Sequence, residues 1–164
     1  CCKADCAVKL IQGGFSMTYR KAGLQDVETL MQLRKTQLID EAIAPNCNID
    51  AELRAFFIET LGNGSMVEWA AEDGGEIVAT AAVVFYQFPP TYTNKSGKKG
   101  YVTNMYTRPS HRKQGLASVL LGKLVAEAKQ AGITRLWLGA SKMGRPVYEK
   151  FGFADSPNWL EMDL

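Results

Sequence analysis

The 164-residue sequence has few of the residues that several protein classes need. It holds one histidine, His111, and four cysteines, of which Cys1, Cys2 and Cys6 are crowded at the start and Cys47 lies alone. A secreted disulfide framework would spread its cysteines along the chain, and no C-x-x-C pair is present. The spacings that zinc sites favour are also missing. We therefore expect reduced thiols in a cytoplasmic protein, with no metal.

Long apolar runs are missing as well. The longest, Ile77–Phe85, is far short of the roughly 20 residues that a membrane-spanning helix needs. Lys9 interrupts an early apolar patch, so we expect no secretory signal. The composition, 46% hydrophobic and 22% charged, is that of an ordinary globular protein. We predict one domain over residues 17–164, preceded by an extension of unclear origin, residues 1–16.

Acidic residues are absent from the 50 positions Ile77–Ala126, which hold seven basic ones. The net charge of +2 therefore combines a +7 segment with a −5 remainder. A segment of one sign attracts anions, although a solvated basic loop is the plainer alternative. The segment lacks the interleaved aromatics of a single-strand platform and any recognition-helix or zinc-finger pattern. We expect neither a nucleic-acid partner nor a membrane partner.

Hydrophobic periodicity and turn residues predict an order of strands and helices. Helices are predicted over Gln25–Ile43, Ala51–Leu61, Gly115–Ala131 and Arg145–Phe151, and strands over Met17–Lys21, Met66–Ala71, Glu76–Phe88, Gly100–Thr107, Thr134–Leu138, Phe153–Ala154 and Leu160–Leu164. Asp26 and Asp50 are placed to cap the first two helices. Asp73-Gly74-Gly75 indicates a hairpin. This order predicts a single α/β or α+β domain with a mixed sheet.

The strongest chemical signal is Arg112–Ala117 (RKQGLA), between a predicted strand and the longest helix. Gly115 and Ala117 leave little side chain in front of the backbone amides. The first amides of a helix lack internal partners and lie at the positive end of its dipole, so such a terminus binds phosphates. The Walker and Rossmann glycine patterns are missing. Arg-x-x-Gly-x-Ala alone is weak, because a basic loop can match it by chance.

This segment resembles the coenzyme A loop of the GNAT superfamily of N-acetyltransferases, whose pattern is Arg or Gln, two residues, Gly, one residue, and Gly or Ala. The strand end before it, Met105–Pro109, and the long helix after it fit the same context. Further along, Val147–Phe153 (VYEKFGF) is similar to the family's Y-E-K-x-G-F signature. Taken alone, Tyr148 is more simply a core aromatic. Two motifs in the correct order and spacing identify residues 17–164 as a member of the superfamily.

The resemblance implies a three-layer GNAT-like fold, in which helices flank a central twisted mixed β-sheet. Two splayed parallel strands, here Gly100–Thr107 and Thr134–Leu138, would hold the pantetheine arm of acetyl-CoA, the co-substrate. The implied coenzyme-binding residues are Met105, Tyr106, Thr107, Arg112, Lys113, Gln114, Gly115, Leu116, Ala117, Ser118, Ser141 and Tyr148. On charge alone, the ribose phosphate could be reached by Lys95, Lys98, Lys99 or Lys113.

The implied activity is direct transfer of an acetyl group to a primary amine in a ternary complex. The backbone N–H of Met105 would hydrogen-bond the oxyanion, and Tyr148 would act as general acid or stabilise the leaving thiolate. Two departures from the family matter. The strand segment Tyr101–Met105 lacks the glutamate base of many members, and Ser141 stands where many have asparagine.

No general base is singled out by the sequence. The acidic residues that could face the acceptor are Asp40, Glu41, Glu68 and Glu72, and His111 belongs to the phosphate side. The main alternative is a catalytically silent GNAT-like module that binds coenzyme A in a regulatory or structural role, and a phosphate or nucleic-acid binder is a weaker one. A homodimer is compatible with the resemblance, and the identity of the acceptor stays open.

Overall fold

Six strands form one mixed sheet in the computed structural model, which describes residues 10–12, 15–157, 160 and 162. In sheet order they are β1 (Leu10–Gln12), β2 (Phe15–Lys21), β3 (Met66–Asp73), β4 (Glu76–Gln87), β5 (Lys98–Thr107) and β6 (Leu136–Trp137). Neighbouring strands are antiparallel except β5 and β6, which are parallel. The turn between β3 and β4 is the predicted hairpin, with Gly74 and Gly75 both at positive φ.

Helices cover both faces of the sheet. Helices α1 (Val27–Asp40) and α2 (Asp50–Asn63) connect β2 to β3, α3 (Leu116–Gln130) connects β5 to β6, and α4 (Arg145–Lys150) follows β6. Short 3-10 turns lie at Leu24–Asp26 and Pro109–His111. The four predicted helices are thus confirmed, with shifted ends. Within the described ranges, no helix is both long and apolar enough to cross a membrane.

Two hydrophobic clusters hold the three layers together. On one face Leu30 of α1 and Phe57 of α2 pack against Met66 of β3. On the other face α3 contributes a buried stripe to a cluster that includes Val83 and Tyr148. The stripe consists of Leu116, Leu120, Leu121 and Leu124. Helices therefore flank the mixed sheet on both sides, and the predicted three-layer α/β fold is confirmed.

The C-terminal part departs from the predicted strands. β6 spans only Leu136–Trp137, whereas the predicted strand covers Thr134–Leu138. Both residues of β6 are half-buried. Phe153–Ala154 is not in a strand. Of the predicted strand Leu160–Leu164, Leu160 and Met162 are not in a strand, and the other positions lie outside the described residues. Three of the apolar residues that suggested these strands, Leu136, Leu138 and Phe153, pack against the α3-side cluster instead. Leu160 and Met162 are exposed.

Of the two predicted helix caps, Asp26 does occupy the N-cap position of α1, whereas Asp50 does not cap α2. The Asp26 carboxylate makes no cap hydrogen bond to α1, because it accepts hydrogen bonds from Arg20 at 2.7 Å and from the backbone N–H of Gly23 at 2.8 Å. Asp50 is the first residue of α2, and its backbone N–H donates to Asn48 Oδ1 at 2.8 Å. For Asp26, a charge-assisted pair with a guanidinium is stronger than a single cap bond.

A β-bulge interrupts β5 and shapes the centre of the molecule. Asn104 and Met105 together oppose the single residue Ala81 of β4. Asn104 adopts a left-handed backbone with φ +51°, a conformation that asparagine tolerates better than most residues. A bulge reverses the faces of the residues that follow it. Accordingly Val102 packs on the α3 side, whereas Tyr106 packs with residues of α1 and the opposite face.

Candidate active site

The strands β5 and β6 part soon after they meet. They pair at two positions, Gly100 with Leu136 and Tyr101 with Trp137. Beyond Tyr101, β5 continues to Thr107 paired with β4 but not with β6. Gly100 permits the close contact, because a Cβ there would lie 2.6 Å from Leu136 Cδ2. Parting strands leave backbone groups of β5 free to pair with a ligand, and they open a cleft beside it.

The cleft has a volume of about 750 Å³ and lies between α1, β5 and the loop before α4. Of the predicted site residues, it brings Met105, Ser141 and Tyr148 together. Its lining consists of Arg34, Gln37, Asp40, Glu41, Ala42 and Ile43 from α1 and its C-terminal extension, Tyr101, Val102, Thr103 and Met105 from β5, and Gly139, Ala140, Ser141, Lys142, Met143 and Tyr148 from the third wall.

Tyr148 is fixed in the cleft wall by packing. Its ring lies 6.0 Å from that of Phe153, and a Cβ on Gly144 would approach the ring to 2.8 Å, so only glycine fits there. The residue is 7% exposed. Burial, followed by the charge of Glu41 and the neighbouring Tyr101, raises the pKa of Tyr148 to about 12. The phenol therefore keeps its proton at neutral pH and can donate it in a hydrogen bond.

Ser141 has a structural contact in addition to its place in the cleft. Its Oγ accepts a hydrogen bond from the backbone N–H of Gly144 at 3.2 Å, at the start of α4. The side chain of Met105 packs against the α3-side cluster, while its backbone belongs to the bulge. Tyr106, by contrast, points its ring into a separate buried cluster with Leu33 and Ile77. Of Tyr106, only the backbone faces the parting of the strands.

The bulge beside Met105 is held by side chains of β3 and β4. Asn104 Nδ2 donates to Glu68 Oε2 of β3 at 3.3 Å, and Thr80 Oγ1 of β4 donates to the Asn104 carbonyl at 3.0 Å. Glu68 is 1% exposed, and its burial raises the pKa to about 8, against the opposing effects of Asn104 and Arg34. The sequence offered no way to distinguish Glu68 from other acids. An asparagine in the middle of a strand was the available signal for the bulge.

The predicted phosphate loop has the backbone of an anion-binding turn. Lys113 and Gly115 adopt positive φ values of +64° and +82°, on either side of Gln114. Alternating left-handed residues turn successive N–H groups towards one concave side. Gly115 is the N-cap of α3, and a Cβ built on it meets nothing within 4 Å, so the space in front of this terminus is open. Leu116 is buried in the core behind it.

Arg112 is engaged in holding the loop in place. Its backbone N–H donates to the Pro109 carbonyl at 3.3 Å. Its guanidinium donates to the Thr107 carbonyl at 2.9 Å and to Asp40 of α1 at 2.5 Å. Arg112 thus ties the loop to the end of β5 and to α1, and the backbone amides that can face a phosphate begin at Lys113. The side chain of Gln114 also bonds within the turn, to the Ser110 carbonyl at 3.3 Å.

Three of the four lysines predicted to reach the ribose phosphate lie at the wrong end of β5. Lys98 and Lys99 begin this strand and Lys95 precedes it, whereas the loop follows its last residue. A strand of this length spans about 30 Å. Lys99 lies 4.6 Å from the centre of the Phe88 ring. Lys113 is the lysine of that set that belongs to the loop.

Of the five side chains considered as bases, Asp40 and Glu41 line the cleft, and His111, Glu68 and Glu72 do not. His111 contacts Asp73 at 3.2 Å on the hairpin turn and does not line the cleft. Glu72 is paired with Arg20 at 2.6 Å. Asp40 is paired with Arg112 of the loop, and Glu68 is buried under the bulge. Glu41 is exposed and lies in the cleft wall.

A three-layer fold whose parallel strands part beside a glycine-containing loop matches a known class of acyl-transferring enzymes. Residues 29–153 match the model of the acetyltransferase (GNAT) family. Since this match covers most of the chain, the protein belongs to the GNAT family. The family membership predicted from the two sequence motifs is therefore confirmed.

The relatives agree with this assignment. A crystal structure of a predicted acetyltransferase from Clostridium acetobutylicum, solved with acetyl-CoA, is 54% identical, with a TM-score of 0.88 over 90% of this chain and 96% of that one. A GCN5-related N-acetyltransferase from Ralstonia eutropha JMP134 is 24% identical, with a TM-score of 0.79 over 90% and 99%, and shows the fold alone. YsnE of Bacillus subtilis, an uncharacterized N-acetyltransferase, is 27% identical over an alignment of 106 residues, and the match covers 62% of this chain and 64% of that protein.

Proposed function

We propose that this protein is an acetyl-CoA-dependent N-acetyltransferase that moves the acetyl group directly to a primary amine within a ternary complex. The observation that supports it most is the meeting of Tyr148, Met105 and an open β5 edge in one cleft. The acetyl-CoA in the 54%-identical clostridial structure supports the choice of co-substrate. In this proposal the pantetheine arm pairs with the backbone of Met105 and Thr107, and the pyrophosphate lies on the amides of Lys113–Ser118.

In the proposed reaction, the neutral amine nitrogen attacks the thioester carbonyl carbon. The new C–N bond forms, the C–S bond breaks, and the proton released by the amine leaves to solvent. The backbone N–H of Met105 donates to the developing oxyanion. Tyr148 donates a hydrogen bond to the departing thiolate. Because its pKa is raised to about 12, the phenol stabilises the thiolate by this hydrogen bond more readily than by giving up its proton.

The test is the release of free thiol from acetyl-CoA in the presence of a panel of primary amines. We expect Tyr148→Phe to lower kcat by about 10- to 100-fold, the value of a hydrogen bond to a charged group, while the rise in melting temperature with acetyl-CoA is retained. Tyr92→Phe, on a fully exposed side chain, is the matched control and keeps wild-type turnover. A melting shift without thiol release for any amine would favour the silent coenzyme-binding module. The absence of any shift would contradict the proposal.

A further inference from the structure

One face of α1 presents charges of both signs to the cleft. Arg34, Gln37 and Glu41 all line it, at spacings that place them on one side of the helix and its C-terminal residue. Arg34 Nη1 donates to Gln37 Oε1 at 3.2 Å, and Gln37 Nε2 donates to Glu41 Oε1 at 3.1 Å. Gln37 is 7% exposed, so a buried amide fixes the cation and the anion relative to each other.

These two charges differ from the others on the helix. Lys35 is paired with Asp50 at 2.7 Å, and Asp40 is paired with the loop arginine Arg112. Among the described residues, neither Arg34 nor Glu41 has an ion-pair partner within 4.0 Å. A half-buried guanidinium in a cleft wall is stabilised by an anion, and a carboxylate beside it by a cation.

The buried carboxyl group near Arg34 does not neutralise it at neutral pH. Glu68 is close enough for Arg34 to lower its pKa, yet burial outweighs this effect and leaves the pKa at about 8. The Glu68 carboxyl is therefore mostly protonated at pH 7. Glu68 therefore does not occupy the guanidinium of Arg34 as an anionic partner, and that position is left for a ligand.

The position of Glu41 relates this pair to the reacting atoms. Glu41 is near enough to Tyr148 for its charge to raise the pKa of the phenol. In the proposed function, Tyr148 contacts the coenzyme sulfur. Because Glu41 and Tyr148 line the same cleft, a cation bound at Glu41 would share that cleft with the acetyl group, and Arg34 lies about two helical turns further towards the start of α1.

We propose that Arg34 and Glu41 form the acceptor subsite, and that the acceptor is a small amino acid whose amine binds Glu41 and whose carboxylate binds Arg34. Two hydrogen bonds and one amide join the charged groups, so their separation is at most about 9 Å. This distance suits an amine and a carboxylate separated by one to four carbons. The inference rests on the proposed function and adds the substrate class to it. Glu41 attracts the ammonium form, and transfer proceeds from the amine after loss of one proton to solvent.

Lys142 is the competing cation, because it lies on the facing loop and also lines the cleft. It is exposed, and among the described residues its ammonium group has no ion-pair partner within 4.0 Å that would orient it. Arg34 offers a planar fork that matches a carboxylate with two parallel hydrogen bonds and is already oriented by Gln37. Substitution of each cation in turn distinguishes their roles.

The experiment measures thiol release for glycine, β-alanine, 4-aminobutyrate and 5-aminopentanoate, each against its carboxamide. For wild type we expect at least one amino acid to exceed its carboxamide about tenfold or more in kcat/KM. Arg34→Gln should abolish this preference by raising KM for the amino acid, with little change for the carboxamide. Glu41→Gln should lower kcat/KM for both members of the pair. Lys35→Gln removes the same charge from the same helix outside the cleft, and should behave as wild type.

Binding of the same compounds to the coenzyme A-loaded protein, measured by calorimetry, gives a second readout that needs no turnover. Arg34→Gln should weaken the amino acid about tenfold or more and leave the melting shift caused by coenzyme A unchanged. Equal use of amino acid and carboxamide, or a preference lost in Lys142→Gln and kept in Arg34→Gln, would overturn this inference and leave the acetyltransferase intact. Amino acid binding that depends on Arg34, without thiol release, would support the subsite and contradict the proposed reaction.

Discussion

The two sides of the candidate site are built from different parts of the polypeptide. On the proposed coenzyme side, the features that matter belong to the backbone. They are the two left-handed residues and helix N-terminus of the loop, backed by buried leucines of α3, and the bulge, held by side chains of β3 and β4. On the proposed acceptor side, α1 presents charged side chains held by one buried amide. Backbone geometry suits a ligand that every member of a family shares. Side chains can be replaced singly, so the side that carries them is the one where specificity can change.

Core packing gives the largest expected difference in stability between α3, on the proposed coenzyme side, and α1, on the proposed acceptor side. Leu124 of α3 is 0% exposed, and we expect Leu124→Ala to lower the free energy of unfolding by about 3 kcal/mol through lost burial and a new cavity. Ile39 of α1 is 55% exposed, so Ile39→Ala should change it by less than about 0.5 kcal/mol. Denaturant unfolding measures both. Equal losses would show that α1 is as firmly built into the core at Ile39 as α3 is at Leu124.

Glu68, the carboxyl group beneath the bulge, gives an intermediate effect on the free energy of unfolding, and this effect depends on pH. The native pKa of Glu68 is raised to about 8 from an ordinary 4.5, so the native state binds its proton more tightly than the unfolded chain does. The stability from this proton is complete below pH 4.5 and is lost as pH rises through 8. Glu68→Gln stays neutral, and we expect it to be more stable than wild type at pH 8.5.

The measurement for Glu68 is the free energy of unfolding between pH 5 and pH 9. Wild type should lose stability relative to Glu68→Gln across this range, by up to about 1.4 kcal/mol per pH unit. Glu59→Gln, on the exposed surface of α2, should follow the wild-type curve. Parallel curves for wild type and Glu68→Gln would mean that the carboxyl group ionises normally in the folded protein.

The smallest predicted effect concerns two glycines that differ in backbone conformation. Gly115 has φ +82° at the start of α3, so Gly115→Ala should cost about 1 kcal/mol although its Cβ meets no atom. Gly62 lies inside α2 with equally open surroundings, and Gly62→Ala should stabilise the protein by roughly 0.5–1 kcal/mol. Thermal unfolding should therefore show shifts of opposite sign. Two shifts of the same sign would show that the loop does not depend on the left-handed residue.

The same contrast explains what could be predicted from the sequence. The local structure of the loop and of the Tyr148 segment was predictable because glycine, alanine and the tyrosine motif are constrained by backbone conformation and close packing, as at Gly144 against Tyr148. The α3 stripe and the Asp73–Gly75 hairpin were predictable from periodicity and turn chemistry. Arg34 was not, because at helical spacing it is indistinguishable from a solvated charge until β5 is packed against it.

Other features failed to show in the sequence because they depend on pairing between strands. The bulge at Asn104 exists only in register with β4. Glu68 is distinguished from Glu72 by its neighbours: an asparagine amide for Glu68 and the Arg20 guanidinium for Glu72. The predicted length of β6 was wrong for a similar reason, because apolar residues after Trp137 pack on the α3 side without extending the ladder.

The parting of β5 and β6 has a consequence for solubility. From Val102 to Thr107 the strand has an edge that β6 does not cover, and uncovered strand edges are where chains associate through added β-pairing. In the proposed complex the pantetheine arm would occupy this edge. The concentration of coenzyme would then govern how readily the protein aggregates as well as how fast it works, and preparations stripped of coenzyme should be the first to precipitate.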